Sequence, residues 1–241
     1  MRIAINGFGR IGRQVFRQAW AERDIEVAHV NDLGDAATMA HLLAYDTSYG
    51  PWNHEVRGEG EVLAVDGREI PVSAEKNPGD LPWQARDVDV VLESTGVFRT
   101  RDAAAQHLAA GARKVLVSAP GKSPLDGDFV IGVNDDAYDH EHHDVISIGS
   151  CTTNCLAPVA RVLHEEFGIE HGVINTIHGY TSTQSLQDGP HKDLRRARAA
   201  AENIIPTTTG AAKAIGTIMP ELDGKLDGLA VRVPVPTGSL L

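Results

Sequence analysis

The chain has 241 residues, 42% of them hydrophobic, 23% charged and 5% aromatic, a globular composition sufficient for one large domain or two modest ones. No run of about 18 apolar residues occurs, which excludes a membrane-spanning helix. With 22 basic against 33 acidic residues, a net charge of −11, neither nucleic acid nor a membrane surface is an expected partner.

The opening run Arg2-Ile3-Ala4-Ile5 reads as a core strand rather than a leader peptide. It leads into Asn6-Gly7-Phe8-Gly9-Arg10-Ile11-Gly12-Arg13, after which Ile11, Val15, Phe16, Ala19 and Trp20 recur at helical spacing. Ile25 to Val30 is the next strand and ends at Asn31-Asp32, completing a βαβ unit. Val62–Val65, Asp66-Gly67 and Ile70–Val72 predict a hairpin with a type I′ turn. Core strands follow at Val88–Leu92, Val115–Val117, Phe129–Val133 and Val145–Ile148, with a helix over about 102–110 stopped by Gly111. The character changes at Gly149-Ser150-Cys151. A helix over 152–167 stops at Gly168, a strand over 172–177 leads to His178, and a polar loop fills about 179–197. A helix opens near Thr209-Gly210, and the last strand, Leu229–Val233, runs into Pro234 and Pro236. The expected class is α/β: a Rossmann-type parallel sheet domain over 1–149 followed by a second, α+β domain over 150–241.

Gly7-x-Gly9-x-x-Gly12, between a strand and a helix, is the dinucleotide fingerprint. The glycines serve a tight turn, close approach of the pyrophosphate, and helix packing. Asp32, 20 residues past Gly12, is placed to accept hydrogen bonds from the adenosine ribose, which favours NAD over NADP. Cys151 opens a helix, where the dipole stabilises a thiolate. Cys155, one turn further in, reads as a small buried residue. His178, a strand-end histidine 27 residues beyond Cys151, is either a base or only a polar cap. His140, His142 and His143 form a solvated loop in preference to a metal site, and no metal is expected. Arg195, Arg196 and Arg198 are either a solvated face or an anion site, and Thr209-Gly210 is a second anion-site candidate.

Taken together, these segments resemble phosphorylating glyceraldehyde-3-phosphate dehydrogenases. The resemblance rests on Asn6 to Arg13, Glu93-Ser-Thr-Gly96 with Phe98, Ser118-Ala-Pro120, Ser150-Cys-Thr-Thr-Asn-Cys155 and His178 with Tyr180-Thr181. It continues through Asp193 to Arg198, Ile205 to Lys213, Pro220-Glu-Leu222, Gly224-Lys-Leu226 and Arg232-Val-Pro234, in family order along essentially the whole chain.

The resemblance implies that the Cys151 thiolate attacks the aldehyde of glyceraldehyde 3-phosphate, with His178 as ion-pair partner and base. Hydride goes to NAD, and inorganic phosphate opens the thioester to give 1,3-bisphosphoglycerate. By family pattern Thr181, Thr183 and Arg232 match the site for the substrate's phosphate. Ser150, Thr152, Thr209 and Gly210 match the site for the attacking phosphate, with Arg198 near both. Gly7, Gly9, Arg10, Ile11, Gly12, Asp32, Thr95 and Ser118 fall against the cofactor, and Leu33 and Pro190 match an NAD-preferring pattern. A homotetramer is implied for the full-length protein, and the two cysteines, too few for a disulfide scaffold, by themselves point to a reducing, cytoplasmic setting. Ile177 and Gly179 depart from the residues that usually flank the histidine. Family chains also run on past the position of Leu241, so the second domain is expected to be partial. The asparagine that fixes the nicotinamide carboxamide and a final helix against the cofactor domain are expected to lie in that part. Erythrose-4-phosphate dehydrogenase and a non-catalytic NAD-binding fragment are the competing readings.

Overall fold

Ile3, Ala4 and Ile5 are buried, the pattern of a parallel strand covered on both faces. They form β1 (Arg2–Asn6), which leads through the glycine turn into α1 (Arg10–Ala21) and on to β2 (Glu26–Asn31). The computed structural model describes residues 1–241 and divides the chain into two compact units. One comprises Met1–Asp128 with Tyr138–Ile148, the other Phe129–Ala137 with Gly149–Leu241.

In the first unit, α1 buries Phe16 and Ala19. The Phe16 ring packs edge-on against Phe8, with centroids 5.6 Å apart, and stacks on Trp20 at 5.8 Å. Helix α2 (Ala36–Ala44), absent from the sequence reading, starts at Asp35, whose carboxylate accepts from Thr38 N–H. It buries Ala36, Met39, Ala40 and Leu43. A short ribbon of β3 (Tyr45–Asp46) and β4 (Gly50–Pro51) follows, then β5 (Val56–Glu59), β6 (Val62–Val65) and β7 (Arg68–Ser73). Strands β6 and β7 meet at Asp66 and Gly67 with φ of 50° and 79°; two positive values in succession are what a type I′ turn requires.

The next elements are β8 (Val90–Glu93), α3 (Arg101–Ala104), α4 (Gln106–Ala109), β9 (Lys114–Val117), β10 (Gly127–Asp128) and β11 (Val145–Ser147). The helix expected over 102–110 is thus two single turns, the first capped by the Thr100 hydroxyl, with Gly111 in a left-handed conformation at φ 103°. No strand forms over Phe129–Val133. There Val130 N–H donates to the Asn134 side chain at 2.8 Å, and Val130 packs into the core of the second unit with Leu156, Ile215 and Met219. Its apolar character serves a core contact rather than a sheet ladder.

Nine of the first unit's eleven strands form one sheet in the order β10-β11-β9-β8-β1-β2-β7-β6-β5, with β3 and β4 paired separately. Strand β1 is flanked by β2 and β8, both parallel to it. The chain crosses from one half of the sheet to the other around β1, and the carboxyl ends of β1, β2 and β8 open a crevice at that switch point.

The second unit contains α5 (Cys151–Phe167), β12 (Gly172–Gly179), β13 (Ile205–Thr208), α6 (Ala211–Ile218), β14 (Leu226–Val233) and β15 (Ser239–Leu240). Its strands pair in the order β13-β14-β12-β15. Helix α5 ends as expected at Gly168, with φ 72°. Leu156, Ala157 and Ala160 of α5 pack with Ile215 and Ile218 of α6. No helix in either unit is long and apolar enough to cross a membrane.

His29 in β2 is buried, with Nε2 2.8 Å from the Ser73 hydroxyl and Nδ1 without a partner. Burial, reinforced by Arg86, lowers its pKa from 6.5 to about 4. Between those two values the unfolded chain takes up a proton that the folded His29 refuses. Its contribution is therefore present above pH 6.5 and lost as the pH falls toward 4. Urea midpoints measured across this range should decline, and His29→Gln should flatten the decline. An unchanged slope in the variant would assign the acid sensitivity elsewhere.

Candidate active site and cofactor pocket

Two of the three fingerprint glycines sit where a side chain has no room. A Cβ on Gly12 would lie 2.2 Å from the Gly7 carbonyl oxygen, and one on Gly7, at φ 95°, 2.6 Å from Thr95 N. Gly9 has open space where its Cβ would be, the cradle a pyrophosphate needs to approach the backbone. Gly9 is also the N-cap of α1, and neither a capping side chain nor an acidic residue occupies that first turn. The N–H groups and the positive end of the helix dipole are left available to phosphate.

These groups border a cavity of about 390 Å³ in the crevice of the first unit, lined among others by Gly7, Gly9, Asp32, Leu33 and Thr95. Asp32 is fixed from behind. One carboxylate oxygen accepts Phe8 N–H at 2.6 Å and the other Gly34 N–H at 3.1 Å. Of the other residues expected here, Arg10 pairs with the buried Asp46 carboxylate at 2.9 Å, Ile11 is exposed, and Ser118 N–H donates to the Glu93 carbonyl at 3.0 Å. The cavity also includes Asn6, Asn31, Glu75 and Lys76, which the sequence reading did not select.

Beneath the cavity runs a directed polar chain. The His29 ring meets the Ser73 hydroxyl, which donates to Asn31 Oδ1 at 2.7 Å; Asn31 Nδ2 donates to Asn6 Oδ1 at 2.7 Å; Asn6 Nδ2 donates to Glu93 at 2.6 Å. Glu93 is 1% exposed and also accepts from the backbone N–H of Thr95 at 2.9 Å and from the Thr95 hydroxyl. Trp83 Nε1–H donates to His107 Nδ1 at 2.9 Å, so His107 Nε2 carries the proton it shares with Glu93 at 3.1 Å. Every lone pair of this buried carboxylate that faces the interior has a donor.

In the second unit, the Ser150 side chain caps α5 by accepting Thr153 N–H at 3.1 Å, which sets Cys151 at the first helical position. Cys151 Sγ lies 3.2 Å from His178 Nε2. Parallel pairing of β12 with β14 places His178 opposite Arg232, whose Nη1 is 2.6 Å from His178 Nδ1 and 3.0 Å from the Gly179 carbonyl. Burial lowers the pKa of His178; the Gly179 carbonyl acts in the opposite direction, and the Arg232 charge reinforces the lowering. Glycine at 179 matters sterically, because a Cβ there would lie 2.9 Å from the Val235 carbonyl oxygen.

The remaining expected residues are distributed as follows. The Thr181 and Thr183 hydroxyls are 2.8 Å apart. Thr152 is buried, whereas Cys155, expected to be buried, is exposed. One turn of helix does not fix depth when the helix end itself is open. Thr209 Oγ1 accepts Ala211 N–H at 3.2 Å, and Gly210 is the N-cap of α6. The arginine cluster is dispersed: Arg195 pairs with Asp193 at 2.8 Å, Arg198 with Asp188 at 3.3 Å, and Arg196 donates to the Thr207 hydroxyl at 2.8 and 2.6 Å. In the histidine-rich loop, His142 pairs with Asp139 at 2.8 Å and His143 Nδ1 accepts Asp139 N–H at 2.8 Å, so both rings serve the loop itself.

Fold and site together define a class: an α/β dinucleotide-binding protein that also carries a helix-terminal thiol beside an imidazole. Residues 1–101 match the family model described as the glyceraldehyde 3-phosphate dehydrogenase NAD binding domain, and residues 150–241 match that described as its C-terminal domain. The chain is 58% identical over 240 residues to glyceraldehyde-3-phosphate dehydrogenase 2 of Streptomyces avermitilis, covering 99% of this chain and 71% of that protein. It is 58% identical to the glyceraldehyde-3-phosphate dehydrogenase of Geobacillus stearothermophilus and 60% identical to that of Kitasatospora aureofaciens, covering 100% of this chain and 72% of each relative. The chain belongs to the glyceraldehyde-3-phosphate dehydrogenase family, a family of oxidoreductases, and its cofactor is NAD.

Asn6→Ala should leave Glu93 and Asn31 each short of a buried partner. A loss of about 1–3 kcal/mol in denaturant unfolding is expected, together with weaker NAD binding measured by calorimetry. Wild-type stability in the variant would show that water replaces the amide at no cost.

Proposed function

We propose that this chain carries out NAD-dependent, phosphorylating oxidation of glyceraldehyde 3-phosphate to 1,3-bisphosphoglycerate. The observation that carries the proposal is the 3.2 Å approach of His178 Nε2 to Cys151 Sγ at the opening of α5, in a chain that also builds a dinucleotide cavity. The functional division is cofactor binding over 1–149 and thiol chemistry over 150–241.

Cys151 is the nucleophile, because a thiolate at a helix N-terminus is stabilised and attacks an aldehyde carbon directly. His178 removes the proton from the resulting hemithioacetal hydroxyl as the carbon is oxidised, leaving a thioester on Cys151. NAD, when bound, supplies the hydride acceptor. The thioester keeps the acyl group activated, so attack by inorganic phosphate yields an acyl phosphate and returns the thiol. Arg232, Thr181 and Thr183 hold the phosphate of the substrate. Ser150, Thr152, Thr209 and Gly210 receive the attacking phosphate, with Arg198 assisting. Gly7, Gly9 and Gly12 admit the pyrophosphate, Arg10, Ile11, Thr95 and Ser118 border the cofactor, and Asp32 receives the adenosine ribose. A homotetramer working in a reducing cytoplasm is the setting we infer. Its support is the pair of free cysteines and the exposure of Leu186, Leu194 and Ile204.

Cys151→Ser should lower the rate of NAD reduction by about a thousandfold or more while leaving the affinity for NAD unchanged. Retention of a tenth of the wild-type rate would show that another group is the nucleophile. Asp32→Ala should narrow the preference for NAD over NADP chiefly by raising the KM for NAD. Equal catalytic efficiency with both cofactors in the wild type would remove Asp32 from the ribose.

A further inference from the structure

Thr183, to which the proposed mechanism gives part of the grip on the substrate's phosphate, stands on an exposed turn. The Thr181 carbonyl accepts Gln184 N–H at 3.0 Å, which makes Ser182 and Thr183 the two central residues of a β-turn. Gln184 is buried and its Oε1 accepts Thr181 N–H at 3.3 Å, so the first threonine is anchored to the interior. Thr183 lacks such an anchor. Its hydroxyl meets that of Thr181 at 2.8 Å, and its carbonyl has one partner, Nε2 of His191, at 3.0 Å.

Two neighbours fix the state of the His191 ring. The Asp193 backbone N–H donates to Nδ1 at 2.9 Å, and the Thr183 carbonyl can only accept, so the neutral ring carries its hydrogen on Nε2 and donates it to Thr183. The other neutral tautomer would set two lone pairs against each other across that 3.0 Å contact. The Asp193 carbonyl, 3.0 Å from Nδ1, becomes an acceptor when both nitrogens are protonated, and Nε2 still donates to Thr183 in that state. The bond to Thr183 therefore holds in both charge states of the ring.

The far end of this clasp is rigid. Asp193 starts the single turn Leu194–Ala197: its carboxylate accepts Arg195 N–H at 3.1 Å and its carbonyl accepts Arg196 N–H at 2.9 Å. Arg196 donates in turn to the Thr207 hydroxyl on β13, and β13 pairs with β14, the strand of Arg232. On the near side, Gly189 N–H donates to the Ala197 carbonyl at 2.9 Å, and Pro190 fixes φ one residue ahead of the ring. His191 carries the order of the sheet that holds Arg232 across to the otherwise loose Thr183.

We propose that His191 is a positioning residue for the substrate's phosphate: it holds Thr183 so that its hydroxyl and that of Thr181 close on the anion together. The two hydroxyls bond each other, so one of them uses its hydrogen on the other. Once both donate to phosphate oxygens that mutual bond is given up, and the imidazole is the remaining tie on Thr183. Ordering Thr183 in advance lowers the entropy lost on binding. The effect falls on affinity for a phosphorylated aldehyde and not on the oxidation step. The inference rests on the dehydrogenase reading for the identity of the anion, and on distances within the loop for the clasp itself.

His191→Asn and His191→Gln separate the roles of the two ring nitrogens. Asparagine keeps an acceptor for Asp193 N–H and is too short to reach Thr183; glutamine keeps a donor at the length of Nε2. His191→Asn should raise the KM for glyceraldehyde 3-phosphate roughly three- to tenfold, the worth of one net hydrogen bond. Its kcat, its KM for NAD and its turnover of unphosphorylated glyceraldehyde should not change. His191→Gln should stay within about twofold of wild type. Calorimetry with glycerol 3-phosphate, a phosphate monoester with no aldehyde to oxidise, should give the same order of affinities without catalysis. An unchanged KM in His191→Asn, an equal loss in His191→Gln, or an equal loss with the unphosphorylated aldehyde would overturn the proposal. Long-range ¹H–¹⁵N spectra of the wild type need no stable variant: a neutral His191 ring protonated at Nδ1 alone would also overturn it. Weakened glycerol 3-phosphate binding in His191→Asn, with no NAD reduction by the wild type, would retain the clasp and remove the dehydrogenase reading. NAD reduction by the wild type, with glycerol 3-phosphate binding unaltered in the variant, would do the reverse.

Discussion

The cofactor unit is organised around one buried carboxylate. Glu93 ends β8 at the switch point of the sheet, where the backbone N–H of Thr95 in the next turn folds back onto its carboxylate. A carboxylate at 1% exposure persists only if donors replace the water it has lost. Asn6, Thr95 and His107 supply those donors from the end of β1, the turn after β8 and helix α4. Two of these donors are held in turn, Asn6 by Asn31 and His107 by Trp83. One charge thereby fixes the three chain segments that border the pocket, because releasing any of them leaves a buried lone pair unpaired.

The catalytic unit depends on register in a different way. Parallel pairing carries Gly172 to Gly179 past Leu226 to Val233 without interruption, so His178 and Arg232 fall opposite each other. A slip of one residue in either strand would send its side chain to the wrong face and part the two. The Ser150 cap performs the same service for Cys151, since it fixes which residue starts α5. A strand register and a helix cap together bring the thiol, the imidazole and the guanidinium within hydrogen-bond distance.

Local chemistry was readable wherever the controlling interaction was itself local. The glycine spacing of 7, 9 and 12, the turn at Asp66-Gly67, the Gly168 stop and the helical setting of Cys151 all follow from the conformations that one or two residues accept. Helix α2 escaped notice because its apolar residues crowd around the helix instead of forming a clear stripe, leaving only the Asp35 cap as a signal. The segment 129–133 was misread as a strand because a short apolar run looks the same whether it pairs in a sheet or packs, as Val130 does, into a core.

While leaving open whether His178 is a base or a polar cap, the amino-acid sequence on its own determined the α/β class, the dinucleotide fingerprint and the helix-opening position of Cys151. These are encoded in residues close together along the chain or in the conformational limits of glycine. Tertiary structure alone decided that Glu93 draws on Asn6 and His107, 87 and 14 residues away, and that Arg232 reaches the back of His178 across 54 residues. It also dispersed an arginine cluster that is continuous in sequence among Asp193, Thr207 and Asp188. Hydrogen-bond partners brought together by strand pairing have no periodicity to betray them, because the sheet, and not the spacing of residues, sets the distance between them.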